Sequence, residues 1–386
     1  MTEWRNAQLG DVLTLQRGFD LPLQNRKIGT VPIVGSTGAV GKHSEYKVKG
    51  PGVVIGRSGS IGGGQLISED FWPLNTTLWV KDFKGNNVQY CYYLIKSIDF
   101  STYNVGSGVP TLNRNHIHPH PVLLAPEHEQ KAISSVLGAL DNKIENNRKM
   151  NETLEEMARA IFKSWFVDFD PVHAKAAGNA PAHMDADTAA LFPSSFSDDG
   201  LPVGWVNGYL KDFTNIVYGK NLPTKQLAIS GYPVFGGNGV IGFHSEFLYE
   251  EPQVLVACRG AASGKVIRSL PFSFVTNNSL VIRINSPHLN RFFLELYLKD
   301  LTLEGFTTGS AQPQMTIANM DAVKLLNPKK EILSCFKTTV EPLFNKVLAN
   351  DEETQTLAEL RDTILPKLMS GEIRVADAER EVKAAV

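Results

Sequence analysis

Cysteine is nearly missing from this chain: three residues in 386. Cys91, Cys258 and Cys335 stand far apart and form no C-x-x-C pair. Neither a disulfide framework nor a zinc ribbon is expected. Long apolar runs are missing too; no stretch approaches the roughly 20 residues that a bilayer-spanning helix needs. The segment Met1–Asp11 has no apolar core of a signal peptide, so a cytoplasmic chain is the expectation. An excess of one charge is also lacking. Lysine and arginine total 38 against 40 acidic residues, a net charge of −2, which argues weakly against wholesale polyanion binding.

The charge is unevenly placed. Residues 1–126 carry +4, 127–200 carry −6, 201–328 carry +2 and 329–386 carry −2. Two mildly basic segments therefore alternate with two acidic ones, which permits a local phosphate-facing surface without demanding one. The first acidic segment reads as a long helix from Glu127 to Trp165. Ile133, Leu137, Leu140, Ile144, Leu154, Ala158, Ile161 and Trp165 alternate steps of four and three, the seam of a coiled coil, with Asn147 and Asn151 interrupting it. The second acidic segment repeats the pattern in Phe336, Val340, Leu343, Val347, Asn350, Thr354, Leu357, Ile364 and Leu368. From Leu140/Leu343 to Ile161/Ile364 the mates lie 203 residues apart, polar gap included. The two helices are expected to pair antiparallel, with Asn147 near Thr354 and Asn151 near Asn350. A helix of about 40 residues is a rod of roughly 60 Å.

The duplication extends outside the helices. Leu9–Pro22 aligns with Leu210–Pro223, and Val31–Tyr46 with Tyr232–Phe247, at offset 201; Asn75–Leu78 aligns with Asn277–Leu280 at offset 202. Gly106-Ser107-x-x-Pro110 aligns with Gly309-Ser310-x-x-Pro313 at offset 203. Short apolar runs at Val53–Ile55 and Val254–Val256 read as buried strands, and one further helix is expected near Val88–Ile98 and near Leu289–Asp300. The fold class is α+β: two tandem α+β domains separated by two long helices forming an antiparallel coiled coil, a pseudo-two-fold internal repeat. The boundaries are 1–126 for the first domain, 127–170 for the central helix, 171–204 for a linker over the surface, 205–328 for the second domain, 329–371 for the C-terminal helix and 372–386 for a tail.

Apparent catalytic motifs dissolve on inspection. Gly237–Gly242 fits G-x-G-x-x-G, but Phe243–Phe247 looks extended where a dinucleotide site needs a helix. Gly260–Lys265 lacks the spacing of a phosphate-binding P-loop. His116, His118 and His120 alternate beside Pro119 and Pro121, which fits surface histidines better than a metal site. Asp168 and Asp170 fit turn caps better than Mg²⁺ ligands. No Ser/His/Asp set, no Asn/Asp-Pro-Pro-Tyr/Phe and no P-D…E-x-K pattern is present, so no catalytic site and no bound metal or cofactor is expected.

What remains is a set of polar groups in glycine-framed loops. The first domain offers Thr37, Lys42, His43, Arg57, Ser58, Ser60, Thr76 and Ser107. The second offers Lys220, Asn238, His244, Arg259, Lys265, Asn277, Ser310, Gln312 and Gln314. Arginine pairs with guanine, asparagine and glutamine pair with adenine, and lysine and serine suit phosphates. Arg57 and Arg259 stand out, because each follows a strand that would project it.

Several longer motifs carry a resemblance. They are Phe71-Trp72-Pro73-Leu74-Asn75-Thr76-Thr77-Leu78, Gly106-Ser107-x-x-Pro110, and Ile161–Val172 (IFKSWFVDFDPV). Phe192-Pro193-Ser194-Ser195-Phe196 with Leu201-Pro202-x-Gly204-Trp205, and Leu365-Pro366-Lys367-Leu368-Met369-Ser370-Gly371-Glu372-Ile373, complete the set. Over nearly its whole length the chain resembles the specificity subunit of Type I restriction-modification enzymes. The resemblance implies two target recognition domains, each reading half of a split double-stranded DNA sequence. It implies a helix pair that sets the gap and docks two methyltransferase (modification) subunits. Apolar surface left open on the helices, at Phe162 and Trp165, is the expected docking face. S-adenosylmethionine, ATP and Mg would sit on partner subunits, restriction/translocase subunits among them, and no membrane is involved. The rival reading is a two-headed protein-interaction scaffold without a nucleic-acid role.

Overall fold

The computed structural model describes residues 3–309 and 313–385. It divides into two units: Met1–Lys149 with Asn350–Val386, and Met150–Ala349.

In the first unit the strands are β1 (Arg5–Gln8), β2 (Thr14–Arg17), β3 (Val31–Gly35), β4 (Gly38–His43), β5 (Gly52–Gly56), β6 (Gly62–Ile67), β7 (Trp72–Pro73), β8 (Thr77–Asp82) and β9 (Pro121–Leu124). An antiparallel sheet runs β2-β8-β5-β6, a second runs β4-β3-β7, and β1 pairs with β9. Within the second sheet β3 and β7 are parallel. The central strand β5 shows why its residues read as an unbroken apolar run. Val53 and Ile55 face the main core, while Val54 faces a smaller cluster with Val34, Val48 and Phe71. Both faces are covered, so no polar alternation is needed. The glycines ending the strand are sterically required: a Cβ on Gly56 would lie 2.0 Å from the Ser60 carbonyl oxygen.

The second unit repeats the plan with β10 (Val206–Tyr209), β11 (Thr214–Tyr218), β12 (Tyr232–Gly236), β13 (Gly239–His244), β14 (Val254–Ala257), β15 (Val266–Arg268), β16 (Phe274–Val275), β17 (Ser279–Ile284) and β18 (Lys324–Asn327). The sheets are β11-β17-β14-β15, β13-β12-β16 and β10-β18, each with its counterpart in the first unit. The expected helices form at Val88–Lys96 and Arg291–Asp300. Asn87 and Asn290 cap them, accepting from the amides of Tyr90 at 2.9 Å and Phe293 at 3.0 Å.

The long helices are Glu127–Phe166 and Lys330–Met369, each of 40 residues. Pro342 and Pro366 lie inside the second without ending it, so packing outweighs the hydrogen bonds they cannot make. In the first unit Ile133, Leu137, Leu140 and Ile144 pack with Leu357, Ile364 and Leu368. In the second, Ala158, Phe162, Trp165 and Phe166 pack with Ile332, Phe336 and Val340. Early turns of one helix meet late turns of the other, so the pair is antiparallel.

The register departs from expectation by about one helical turn. Asn147 donates to the Glu353 carboxylate at 2.7 Å and lies 3.5 Å from the Asn350 carbonyl oxygen. Asn151 lies 3.4 Å from the carbonyl oxygen of Val347. The expected partners were Thr354 and Asn350. In a self-matched antiparallel pair the residue at the centre meets its own mate, and Asn147 meets the residue 203 positions on.

Two further expectations are corrected. The segment 171–204 is not a bare surface linker. It forms the helices Asp170–Ala176 and Ala186–Leu191 and seals the second unit's core with Val172 and Phe192. Phe162 and Trp165 do not present apolar surface; they are 1% and 8% exposed, packed against Phe293, Phe336 and Phe192.

Candidate nucleic-acid interface

In the first unit four loops converge at one edge of the sheets. The β3–β4 turn carries Ser36 and exposed Thr37. The loop after β5 carries Arg57, Ser58 and Ser60, and the turn before β8 carries Asn75 and Thr76. The amides of Arg57 and Ser58 both donate to the Thr76 carbonyl, at 2.8 and 3.1 Å. Loop 104–112 joins them: Gly59 N donates to Pro110 O at 3.0 Å, and Leu112 N to Arg57 O at 2.8 Å. Asn104 Oδ1 holds that loop shut by accepting from the amides of Gly106 and Thr111, both at 2.9 Å. The loops are thus fixed by backbone bonds, which leaves side chains free to vary at little cost to the frame.

The expected residues fall unequally on this edge. Thr37, Lys42, Ser60 and Ser107 are exposed, and Arg57, Ser58 and Thr76 are half-buried. Arg57 Nε donates to the Asn75 carbonyl at 2.9 Å, so one side of the guanidinium is spoken for. His43 is buried: its Nδ1 accepts from the Lys27 amide at 3.0 Å, and its ring meets Trp72 edge-on at 5.2 Å. It braces the β3–β4 hairpin from within.

Two arginines that sequence reasoning passed over join Arg57. Arg17 ends β2 and Arg114 opens a helical turn, Arg114–Ile117, capped by Asn113. With Arg57 they line a concavity of about 390 Å³. Burial first, then the Arg17 charge, hold Arg57 below the ordinary guanidinium value. The available signal was a mismatch within the repeat: Tyr218 and Ile317 occupy the corresponding positions of the second half.

In the second unit the same frame recurs. Cys258 N donates to Asn278 O at 2.9 Å, and Arg259 forms a bridge with Gln314. Lys265 Nζ donates to Asn238 Oδ1 at 2.5 Å, tying the β12–β13 turn to the loop after β14. Lys220, Asn238, Arg259, Lys265 and Gln314 are exposed, and His244 and Asn277 half-buried. Ser310 and Gln312 lie outside the described residues.

The other motifs settle into structural roles. Gly237-Asn238 is the tight turn of the β12–β13 hairpin. His118 and His120 are tied in, Nε2 of the first accepting from Leu15 N at 3.1 Å and Nδ1 of the second lying 2.6 Å from the Tyr103 hydroxyl. His116 sits exposed on the helical turn. Asp168 pairs with Lys163, and Asp170 opens the helix Asp170–Ala176. Burial pushes the Cys91 thiol up to about 12, so it is inert at neutral pH. Among the described residues no group of three or more His, Cys, Asp or Glu is placed to hold a metal, and no helix is long and apolar enough to cross a membrane.

Two α+β units built on one plan, each presenting an edge of backbone-fixed loops and each closed by half of an antiparallel helix pair, define a duplicated recognition module. Residues 1–156 and 202–354 match the family described as Type I restriction modification DNA specificity domain, and the chain belongs to it as a specificity subunit of a Type I restriction-modification system. It is 28% identical over 316 residues to the Type I restriction enzyme MjaIX specificity subunit of Methanocaldococcus jannaschii, covering 75% of this chain and 70% of that protein. It is also 28% identical over 311 residues to the HindI specificity subunit of Haemophilus influenzae, covering 63% and 67%. A solved S subunit of a Type I system from M. genitalium shares the fold at TM-score 0.61 and 17% identity, over 95% of this chain and 96% of that one.

Proposed function

We propose that each unit reads one half of a bipartite duplex DNA sequence through its four-loop edge. The two long helices set the gap between the half-sites and dock two methyltransferase subunits. Those subunits carry S-adenosylmethionine, and ATP and Mg belong to restriction subunits; this chain contributes recognition and no catalytic group. One observation carries the reading: the loop frame is the same in both units while its side chains differ. A fixed frame with exchangeable side chains is what two different half-sites require. The scaffold reading has the acidic helices and the near-neutral net charge in its favour.

The test is co-expression of the chain with its cognate modification subunits, followed by methylome sequencing of the host. The expected result is one methylated motif of two short blocks separated by a fixed gap. A continuous motif, or methylation that does not depend on this chain, would overturn the reading.

A further inference from the structure

The first unit carries a basic groove that the shared loop frame does not require. Arg17, Arg57 and Arg114 surround the concavity of about 390 Å³, and Leu78, Val105 and Leu112 supply apolar wall. Arg17 and Arg114 also line an adjoining concavity of about 620 Å³, together with Lys81. Among the described residues Asp20 is the one carboxylate lining either, and it sits 3.7 Å from Arg17 with both side chains more than half exposed. Three guanidiniums and an ammonium against one exposed carboxylate leave uncompensated positive charge in a concave, partly apolar setting, where the field is focused. Guanidinium forks match phosphate oxygens in pairs.

The second unit has the frame without this cluster of three arginines. Tyr218 stands where the first unit has Arg17. Ile317, directly after the N-cap Thr316, stands where it has Arg114 after Asn113. Arg283 corresponds to Lys81, but it is turned to Tyr249, 3.1 Å from the hydroxyl and 5.3 Å from the ring centre. Cys258 stands in the place of Arg57, its amide donating to Asn278 O as that of Arg57 donates to Thr76 O; Arg259, in the place of Ser58, is left exposed.

We propose that Arg17, Arg57 and Arg114 form a phosphate seat in the first unit that grips the DNA backbone at its half-site, and that the second unit binds its half-site without such a clamp. The inference rests on the chain being a DNA-reading subunit. The two half-sites then contribute unequally to salt dependence, because each phosphate contact releases counterions.

The experiment uses the full chain co-purified with its modification subunits and a fluorescent duplex bearing the methylated motif. Companion duplexes have either half-site scrambled, and affinity is followed against salt. Arg17→Ala/Arg114→Ala should lower the slope of log K against log salt by about 1.8, two contacts at about 0.9 each. Affinity should fall by the same factor on every duplex, with the methylated sequence unchanged. Arg17→Lys/Arg114→Lys should keep most of the slope, and Tyr218→Ala should not alter it. If the unmodified complex shows no preference for the duplex, both the seat and the DNA-reading assignment fail. If that complex binds but the double alanine variant keeps its slope, the seat alone fails. If the variant instead relaxes base choice in the first block, the guanidiniums read bases and the phosphate assignment fails.

Discussion

Glu295 offers a sharp test of how the second unit is held together. Its side chain is 1% exposed and stands between Arg268 at 3.6 Å and Lys299 at 2.7 Å. Arg268, 12% exposed, also reaches Glu155 of the first long helix at 3.3 Å and stacks on Phe344 at 4.7 Å. Arg291 is near enough that burial, and next the Arg268 charge, lower its guanidinium below the ordinary value. Glu295 is thus the buried anion among crowded cations. Glu295→Gln keeps the shape and removes the charge. Breaking a buried pair costs about 3–5 kcal/mol; because Arg268 keeps Glu155 and Lys299 can turn to water, about 3 kcal/mol is expected. Urea unfolding should be followed by tryptophan fluorescence and circular dichroism together, since two units need not melt as one. The expected result is an earlier transition for the unit containing Trp165 and Trp205, with the other unchanged. A loss below about 1 kcal/mol, the range of exposed pairs, would refute the reasoning. Arg268→Met/Glu295→Leu, which removes the pair and fills the space, should recover most of the loss.

Three further outcomes follow from the geometry. Asn147→Leu should raise the unfolding midpoint of the first unit by filling the seam, while loosening helix register; disulfide trapping between cysteines placed at alternative registers would check this, and a lowered midpoint would contradict it. His118 and His120 sit below the usual imidazole value through burial, His118 also through Arg114 and Lys84. The unfolded chain therefore takes up protons first, so the first unit should lose stability as pH falls below about 6.5. His118→Gln/His120→Gln should flatten that slope in thermal melts between about pH 7 and pH 5. Arg57→Ala should lower the salt slope by about 0.9 and leave the methylated motif unchanged, whereas Arg259→Ala should weaken methylation through one block only, by about 1–3 kcal/mol if its contact is bidentate to guanine; Arg259→Ala altering both blocks would contradict independent half-sites.

The repeat and its helices were legible because a seam at one offset survives the divergence of everything around it. The seam did not disclose its partner register. Periodicity fixes which face is apolar, not which turn of the other helix meets it, so Asn147 was paired one turn too far along. Phe162 and Trp165 were misplaced for the same reason: an apolar stripe says that something covers it, and the cover comes from Phe293 and Phe336 over Phe162 and from Phe336 and Phe192, the latter in the supposed linker, over Trp165. The loop frame was legible in its glycines, yet His43 carried a polar label into a buried place. Arg17 and Arg114 were missed because one ends a strand and the other opens a turn far along the chain, and only the fold brings both to Arg57.

The first unit is completed by the last segment of the chain, from Asn350 on, whereas the second is contiguous. On a ribosome the first unit must wait while about 200 residues are made, about 10–40 s at about 5–20 residues per second. During that interval Ile133, Leu137, Leu140 and Ile144 have been synthesised, but Leu357, Ile364 and Leu368, which bury them, have not. The nascent chain thus has a built-in order of maturation, with the later-made unit able to finish before the earlier one. A premature stop near residue 350 would spare the second unit and leave the first with an open apolar stripe, a substrate for chaperones and proteases.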